Sequence, residues 1–378
     1  MTEPSTAAAN APLLPAYYTD TAVLAAEQRR IFARTWQLAG HETDLPGPGS
    51  RIVARAGDQE VVVVRDEEGA LHAHRNVCRH RGARLVTGPE QHAAIRCPYH
   101  GWTYCLDGRL VGAPEGRRFS APLHLPSLGL LPARVEVWHG LVFVNLHLQA
   151  APLADQLLGL DALIGRYLGE LVPVGAARIH HAADSPGRVV ATDANWKVAV
   201  DNYLEGYHVP VAHPGLMRLL DYPRYSAEVS PGYAYFEAPL RATRSANRME
   251  RLYQRLVSPM PGLLPEDRGV WRYVAVYPNT MIDLSADCVG AWSMIPDGVD
   301  RTLLPGAVYR HPDAGWRTRL AQAAGRRVND LVTHEDDDIV TRVQAGLRTP
   351  GFTPGPLSER EAALGWFAGR IRTDLGRT

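Results

Sequence analysis

Two short stretches of this 378-residue chain carry side chains whose types and spacing suit metal chemistry. The first is Cys78-Arg-His80, followed after sixteen residues by Cys97-Pro-Tyr-His100. Each half offers one thiolate and one imidazole. A two-iron, two-sulfur ([2Fe–2S]) cluster with two cysteines on one iron and two histidines on the other needs that set. Gly82, one residue past the first half, and Gly101, directly after the second, would let both loops close tightly. Structural zinc also takes two Cys and two His. Zinc fingers, however, pair like with like along the chain, whereas here the types alternate. The expected cluster ligands are therefore Cys78, His80, Cys97 and His100. Cys105 and Cys288 have no histidine nearby and read as packing residues. Four cysteines are too few for a disulfide framework in a chain this long.

The second stretch runs Asn195-Trp-Lys-Val-Ala-Val-Asp201-Asn-Tyr-Leu-Glu205-Gly-Tyr-His208-Val-Pro210-Val-Ala-His213-Pro214. Non-haem Fe(II) that activates O₂ is commonly held by two histidines and one carboxylate, with positions left open. A helix over 196–208 would put Asp201, Glu205 and His208 on one face. His213 would point away on a continuous helix, but Pro210 and Pro214 end the helix and let the chain turn back. The carboxylate is expected from Glu335-Asp-Asp-Asp338, in a segment running to Leu347. An acidic run is ordinarily a solvated face or a helix N-terminus. Helical phase separates its members. Asp336 aligns with Val340, Val343 and Leu347 and faces the core, while Asp338 aligns with Thr341, Arg342 and Ala345 and faces out. Asp337 lies between. Asp336 is the expected ligand, with Asp337 second.

The elements that must position these residues differ along the chain. From about Gly49 to Leu146, short β-branched or alternating runs (51–54, 60–65, 70–75) are punctuated by Gly57 and Gly69. Asp107-Gly108 predicts a hairpin with a type I′ turn, and His139-Gly140 another hairpin. This is a small antiparallel β domain. A helix is expected over 21–36, another over 153–171, and a mixture of helices and strands beyond, including helices near 196–208 and 328–347. The fold class is α+β. Residues 1–16 read as a disordered tail without signal-peptide character. Lys+Arg and Asp+Glu are equal at 40 each, so no basic field suggests nucleic acid. No apolar stretch is long enough to span a bilayer. A cytoplasmic protein with a small-molecule substrate is expected.

Three motifs together resemble the oxygenase (alpha) subunits of Rieske non-haem iron oxygenases. They are C-x-H…C-P-Y-H-G-W-x-Y, then N-W-K…N-Y-x-E-x-Y-H-x-P-x-x-H, then E-D-x-x-I-x-x-x-V-Q-x-G-L. The resemblance covers nearly the whole chain from about residue 17. It implies a Rieske domain (41–150) and a helix-grip catalytic domain (151–378), a curved antiparallel sheet around a long helix. The segment 17–40 would pack on the catalytic domain. It implies a mononuclear Fe(II) held by His208, His213 and Asp336, with O₂ as co-substrate. It also implies a homotrimer in which an acidic residue, here Glu205, bridges the cluster histidines of one subunit to His208 of the next. Electrons would come from a separate reductase, since the chain has no G-x-G-x-x-G after a strand and no plant-type ferredoxin cysteine spacing. Many ring dihydroxylases have Asp where this chain has Glu205. Asp-Asn-Tyr-Leu-Glu-Gly-Tyr-His-Val-Pro is most similar to choline, glycine betaine and carnitine monooxygenases. Such substrates call for an aromatic cage, and Tyr203, Tyr207, Tyr222, Tyr225, Tyr235, Trp271, Tyr273 and Trp292 all lie in the catalytic region. Ring hydroxylation of an aromatic acid is the alternative activity, and a pure electron-transfer Rieske protein the third.

Overall fold

The computed structural model describes residues 11–174 and 190–376. The expected tail therefore lies outside the described residues as far as residue 10. From Ala11 the chain is already held: Leu13 is buried, and Arg372 Nη2 donates to the Ala11 carbonyl at 2.7 Å. The chain divides into two compact units.

One unit is built on Phe32–Leu153. Its strands are β1 (Gln37–His41), β2 (Ser50–Ala56), β3 (Gln59–Arg65), β4 (Leu71–Arg75), β5 (Glu90–Gln91), β6 (Ile95–Arg96), β7 (Thr103–Tyr104), β8 (Leu110–Gly112), β9 (Pro132–Trp138) and β10 (Leu141–Asn145). Seven of them form an antiparallel sheet in the order β1-β10-β9-β4-β3-β2-β5, and β6-β7-β8 form a small second sheet. Residues Val61–Val64 are buried on both faces, which is why the sequence shows a continuous Val run and no alternation. Val61 and Val63 pack with Ala39, Ile52, Val142 and Val144. Val62 and Val53 face the other way, onto Cys78, Cys97, Trp102 and Tyr104. The pleat of one strand thus builds both a core and the floor beneath the cysteine loops.

Two turns part company. His139 and Gly140 both have positive φ, as a type I′ turn needs. At Asp107-Gly108 only Gly108 does (φ 88). There the Gly108 N–H donates to Cys105 O and the Cys105 N–H to Arg109 O. That is a type I turn closed by a glycine bulge, not the expected type I′. The first expected helix is also shorter than predicted. An α-helix, α1 (Thr21–Glu27), runs into a π-turn over Gln28–Phe32, and Gln37–His41 is already β1 at the edge of the seven-stranded sheet. The boundary falls at Ile31/Phe32 where the sequence suggested 40/41.

The other unit contains α1, residues from Ala154 and the chain from Val190 onward. Its seven-stranded antiparallel sheet has outer strands Val172–Pro173 and Ser226–Val229. Between them lie β11 (Tyr233–Pro239), β12 (Val270–Val276), β13 (Thr280–Leu284), β14 (Val289–Ser293) and β15 (Gly306–Arg310). Helices α2 (Trp196–Tyr203), α3 (Val209–Ala212) and α4 (Pro214–Leu219) carry the expected histidines. The 31-residue helix α5 (Trp316–Gly346) carries the expected acid. Ala321 and Ala324 of α5 pack with Trp271, and Val332 packs with Trp271 and Tyr273, so α5 lies on the sheet. The expected 153–171 helix is instead broken into short turns around Gly159, whose φ is 86. Among the described residues no helix is long and apolar enough to cross a membrane.

Candidate metal centres

The two cysteine–histidine loops have the same backbone plan. The Cys78 N–H donates to Ala83 O, and the Gly82 N–H returns to Cys78 O. The Cys97 N–H donates to Trp102 O, and the Gly101 N–H returns to Cys97 O. Each loop is therefore pinned five residues ahead and four residues back. Each turns on a glycine at positive φ, 75° at Gly82 and 71° at Gly101, where a side chain would be strained. Asn76 braces the first loop by accepting from the Leu85 and Val86 N–H groups.

Both cysteines are buried, 2% and 3% exposed, whereas His100 and its neighbour Tyr99 lie at the surface. The His80 and His100 rings stand 4.7 Å apart, and His80 stacks on Trp102. Burial raises the Cys78 thiol pKa and nearby Cys97 adds to it, while bonds from Tyr104 and the His80 backbone oppose this. His80 Nδ1 is buried without a hydrogen-bond partner. Two adjoining sulfurs in an apolar floor and an imidazole nitrogen left unsatisfied fit a cluster with sulfur ligands inside and imidazole ligands outward.

The second constellation closes differently from the sequence expectation. Helix α2 ends at Tyr203 instead of continuing to 208. A helix through Pro210 would press its ring on the Gly206 carbonyl and forfeit a backbone bond. Gly206 also passes so close to Tyr225 that a Cβ would lie 2.8 Å from the ring. The chain kinks there, and His208 and His213 cap the two ends of α3. Pro214 then opens α4, a position where its missing N–H costs nothing.

This brings three ligand-type atoms together. His208 Nε2 and His213 Nε2 are 3.2 Å apart. Asp336 Oδ1 lies 3.0 Å from His213 Nε2 and 3.7 Å from His208 Nε2. Ligands about 2.1 Å from one ion and at right angles would be about 3 Å apart, so the triangle fits a single metal. The opposite nitrogen of each ring is held by a carboxylate. Glu205 Oε1 meets His208 Nδ1 at 2.5 Å, and Glu335 Oε2 meets His213 Nδ1 at 2.7 Å. These bonds place the ring proton on Nδ1 and turn the Nε2 lone pairs toward one another. Burial of His213 opposes its protonation, but Asp336 and Glu335 outweigh it and raise its pKa. Asn202 Nδ2 donates to Asp336 Oδ1 at 2.7 Å.

The stripe that orients Asp336 is not the predicted one. Val340 and Gln344 are buried, whereas Val343 is 45% exposed. Gln344 turns inward because its Oε1 accepts the Asn195 N–H. Asp338 faces out and pairs with Arg342 at 2.7 Å, as its phase implied, and the Asp337 side chain joins neither histidine. Asn202 and Glu335 were not foreseen as parts of the site. Their only signal was adjacency to motif residues. One turn before Glu205, half-buried Asp201 accepts from the Tyr18 hydroxyl at 2.6 Å. Burial pushes its pKa up to about 7, against the opposing effect of Tyr18.

The comparisons with known proteins bear on both centres. Residues 35–129 match the Rieske [2Fe-2S] domain model. Residues 169–376, more than half the chain, match the catalytic domain of the ring hydroxylating alpha subunit. The chain belongs to the Rieske non-haem iron oxygenases. It is an oxygenase subunit, which accordingly carries a Rieske [2Fe–2S] cluster and a mononuclear iron and uses O₂. It is 32% identical to the glycine betaine monooxygenase oxygenase subunit of Chromohalobacter salexigens, over 90% of this chain and 80% of that one. It is 33% identical to the carnitine monooxygenase oxygenase subunit of Acinetobacter baumannii, over 89% and 85%. Among solved structures, a quaternary ammonium Rieske monooxygenase in complex with L-carnitine matches at TM-score 0.76 and 25% identity, covering 96% of this chain and 95% of that one. The expected α+β class, with a curved antiparallel sheet in the catalytic domain, holds for this oxygenase.

Proposed function

We propose that this chain is the oxygenase component of a multi-component monooxygenase that oxidises a small quaternary ammonium compound. The observation that carries the substrate class is the match of about nine-tenths of the chain to oxygenase subunits for glycine betaine and carnitine, at 32% and 33% identity. Cys78, His80, Cys97 and His100 would hold the cluster, and His208, His213 and Asp336 the iron. When bound, the cluster supplies single electrons and the iron supplies O₂ activation for insertion of one oxygen into a substrate C–H bond. If that carbon is an N-methyl, the product loses formaldehyde.

The chain's own residues set up this chemistry. Glu205 and Glu335 keep both imidazoles in one tautomer, and Asn202 orients the Asp336 carboxylate. The buried sulfurs and outward histidines leave the imidazole edge of the cluster as the side from which an electron can depart. Glu205 is the proposed bridge from that edge, on a neighbouring subunit of a homotrimer, to His208. A separate flavin- or ferredoxin-type reductase is the proposed electron donor. A cytoplasmic setting belongs to the same proposal, supported by four cysteines none of which is in a disulfide.

Two variants test the assignments. Asp336→Ala should lose most mononuclear iron while the cluster's visible and EPR spectra persist; full iron occupancy would remove Asp336 from the site. Glu205→Gln should retain both metals and a reducible cluster, yet lower turnover about 100-fold or more, since an isosteric amide can no longer serve as the charged acceptor at Nδ1. Normal turnover would refute the bridge. Oxygen uptake against choline, betaines, carnitine and aromatic acids, with products weighed by mass spectrometry, tests the substrate class. Coupling to an aromatic acid alone would make the chain a ring hydroxylase.

A further inference from the structure

One face of the catalytic sheet holds an acid without a counter-charge. Register places Asp283 of β13 opposite Tyr273 of β12 and opposite Gly290 of β14. Trp292, two residues beyond Gly290, stands opposite Gly306 of β15. These positions share a face. Tyr203, the last residue of α2, reaches the same place: its hydroxyl donates to Asp283 Oδ1 at 2.6 Å. The Trp292 indole N–H donates to Asp283 Oδ2, also at 2.6 Å.

The two glycines are part of the arrangement. A Cβ at Gly306 would fall 1.9 Å from the Trp292 ring, and one at Gly290 would fall 2.9 Å from its Nε1. The indole can lie flat against the sheet and aim at Asp283 only because both positions lack a side chain. Along β13 and β14, Asp283 and Trp292 are the residues with accessible surface, while their strand neighbours are buried. Tyr203 and Tyr273 are likewise only partly buried, and their rings meet edge to face at 6.2 Å. Three aromatic rings and one carboxylate thus gather on one partly exposed part of the sheet face. That cluster adjoins the proposed iron site. Asn202, the residue before Tyr203, binds the Asp336 carboxylate, and the Asp336 charge reaches the Tyr273 hydroxyl.

Among the described residues no basic side chain pairs with Asp283. A half-buried carboxylate without a counter-charge is disfavoured, and a cation arriving beside it relieves that cost. Each of its oxygens already has a donor. What remains on offer is negative charge with little call for another N–H, which suits a cation that has none. The surrounding ring faces attract the same kind of charge.

We propose that Asp283 is the counter-charge for the cationic head of the substrate, which it holds against Tyr203, Tyr273 and Trp292, and that it makes this oxygenase select a quaternary ammonium over a neutral group of the same shape. This rests on the substrate class proposed above and adds the residue that enforces it.

The test is calorimetric titration of the anaerobic holo-oxygenase with choline, tetramethylammonium and 3,3-dimethylbutan-1-ol, the neutral isostere of choline. The wild type should prefer choline over the isostere by at least about tenfold. Asp283→Asn should weaken both cations by about 10- to 100-fold while the isostere stays within about threefold. Trp292→Phe, which keeps a ring but loses the N–H, should weaken the cations by a smaller factor. If Asp283→Asn does not fold, the wild-type preference and Trp292→Phe still decide. Cation binding unchanged in Asp283→Asn, with the wild type oxidising an ammonium compound, would overturn the role of Asp283 and leave the substrate class standing. Wild-type binding of aromatic acids but of neither cation would overturn both.

Discussion

At the scale of single residues, the contacts around each proposed metal ligand are as informative as the ligands. The Tyr104 hydroxyl lies 3.3 Å from Cys78 Sγ and accepts the Arg79 N–H. Its own proton is therefore directed at the sulfur. Burial, with the Cys78 sulfur adding, pushes the Tyr104 pKa far above its ordinary value, so the phenol stays protonated and the donor is permanent. A hydrogen bond to a ligand sulfur stabilises the reduced, more negative cluster. Tyr104→Phe should lower the cluster midpoint potential by roughly 20–60 mV, the equivalent of one modest hydrogen bond in a one-electron couple. A redox titration followed by EPR measures this. An unchanged potential would reduce Tyr104 to a packing residue.

At the scale of elements, α2 matters because it ends at the residues that orient Asp336 and touch Asp283. What fixes α2 is a buried ion pair. Lys197 Nζ lies 2.7 Å from Glu27 Oε1, and both side chains are fully buried. Trp196 Nε1 adds a bond to the other Glu27 oxygen at 2.8 Å. The pair clamps α1 to α2. Lys197→Met should cost about 3–5 kcal/mol by stranding the Glu27 charge, whereas Glu27→Leu combined with Lys197→Met should cost far less. Chemical denaturation of the two variants checks this, and equal losses would contradict it. The sequence suggested a helix here and placed His208 on its face, but the clamp partner Glu27 lies far away in sequence and gave no sign of itself. The cysteine and histidine loops were legible because a short contiguous motif holds all four candidate ligands and both turn glycines. The inward orientation of Asp336 was legible only by residue type and rough phase. Its stripe actually runs through Gln344, buried by a bond to Asn195 that no periodicity reveals. Glu335, Asn202 and Asp283 draw their roles from tertiary contacts alone, and for that reason pattern reading passed over them.

At the scale of the whole molecule, the two units have separate cores. Val61, Val63, Val142 and Val144 centre one, while Leu216, Leu220 and Ala238, and in another cluster Tyr253, Ala321 and Ala324, belong to the other. Scanning calorimetry should therefore resolve two transitions. Removing the mononuclear iron with a chelator should lower one by several degrees and leave the other in place, because a ligand stabilises only the unit that binds it. A single transition that shifts as a whole would mean that the units unfold together.

The positions of the proposed ligands along the chain also set an order of assembly during synthesis. The cluster loops lie between Cys78 and His100, inside the unit built on Phe32–Leu153. His213 and Asp336, by contrast, are 123 residues apart, and both follow that unit in sequence. As the polypeptide leaves the ribosome, the first unit can fold and take up its cluster while the helix bearing Asp336 has yet to be made. Until that helix emerges, His208 and His213 have no carboxylate to complete a three-ligand site. A chain truncated before Asp336 would therefore keep the proposed cluster ligands but lack the carboxylate of the proposed iron site.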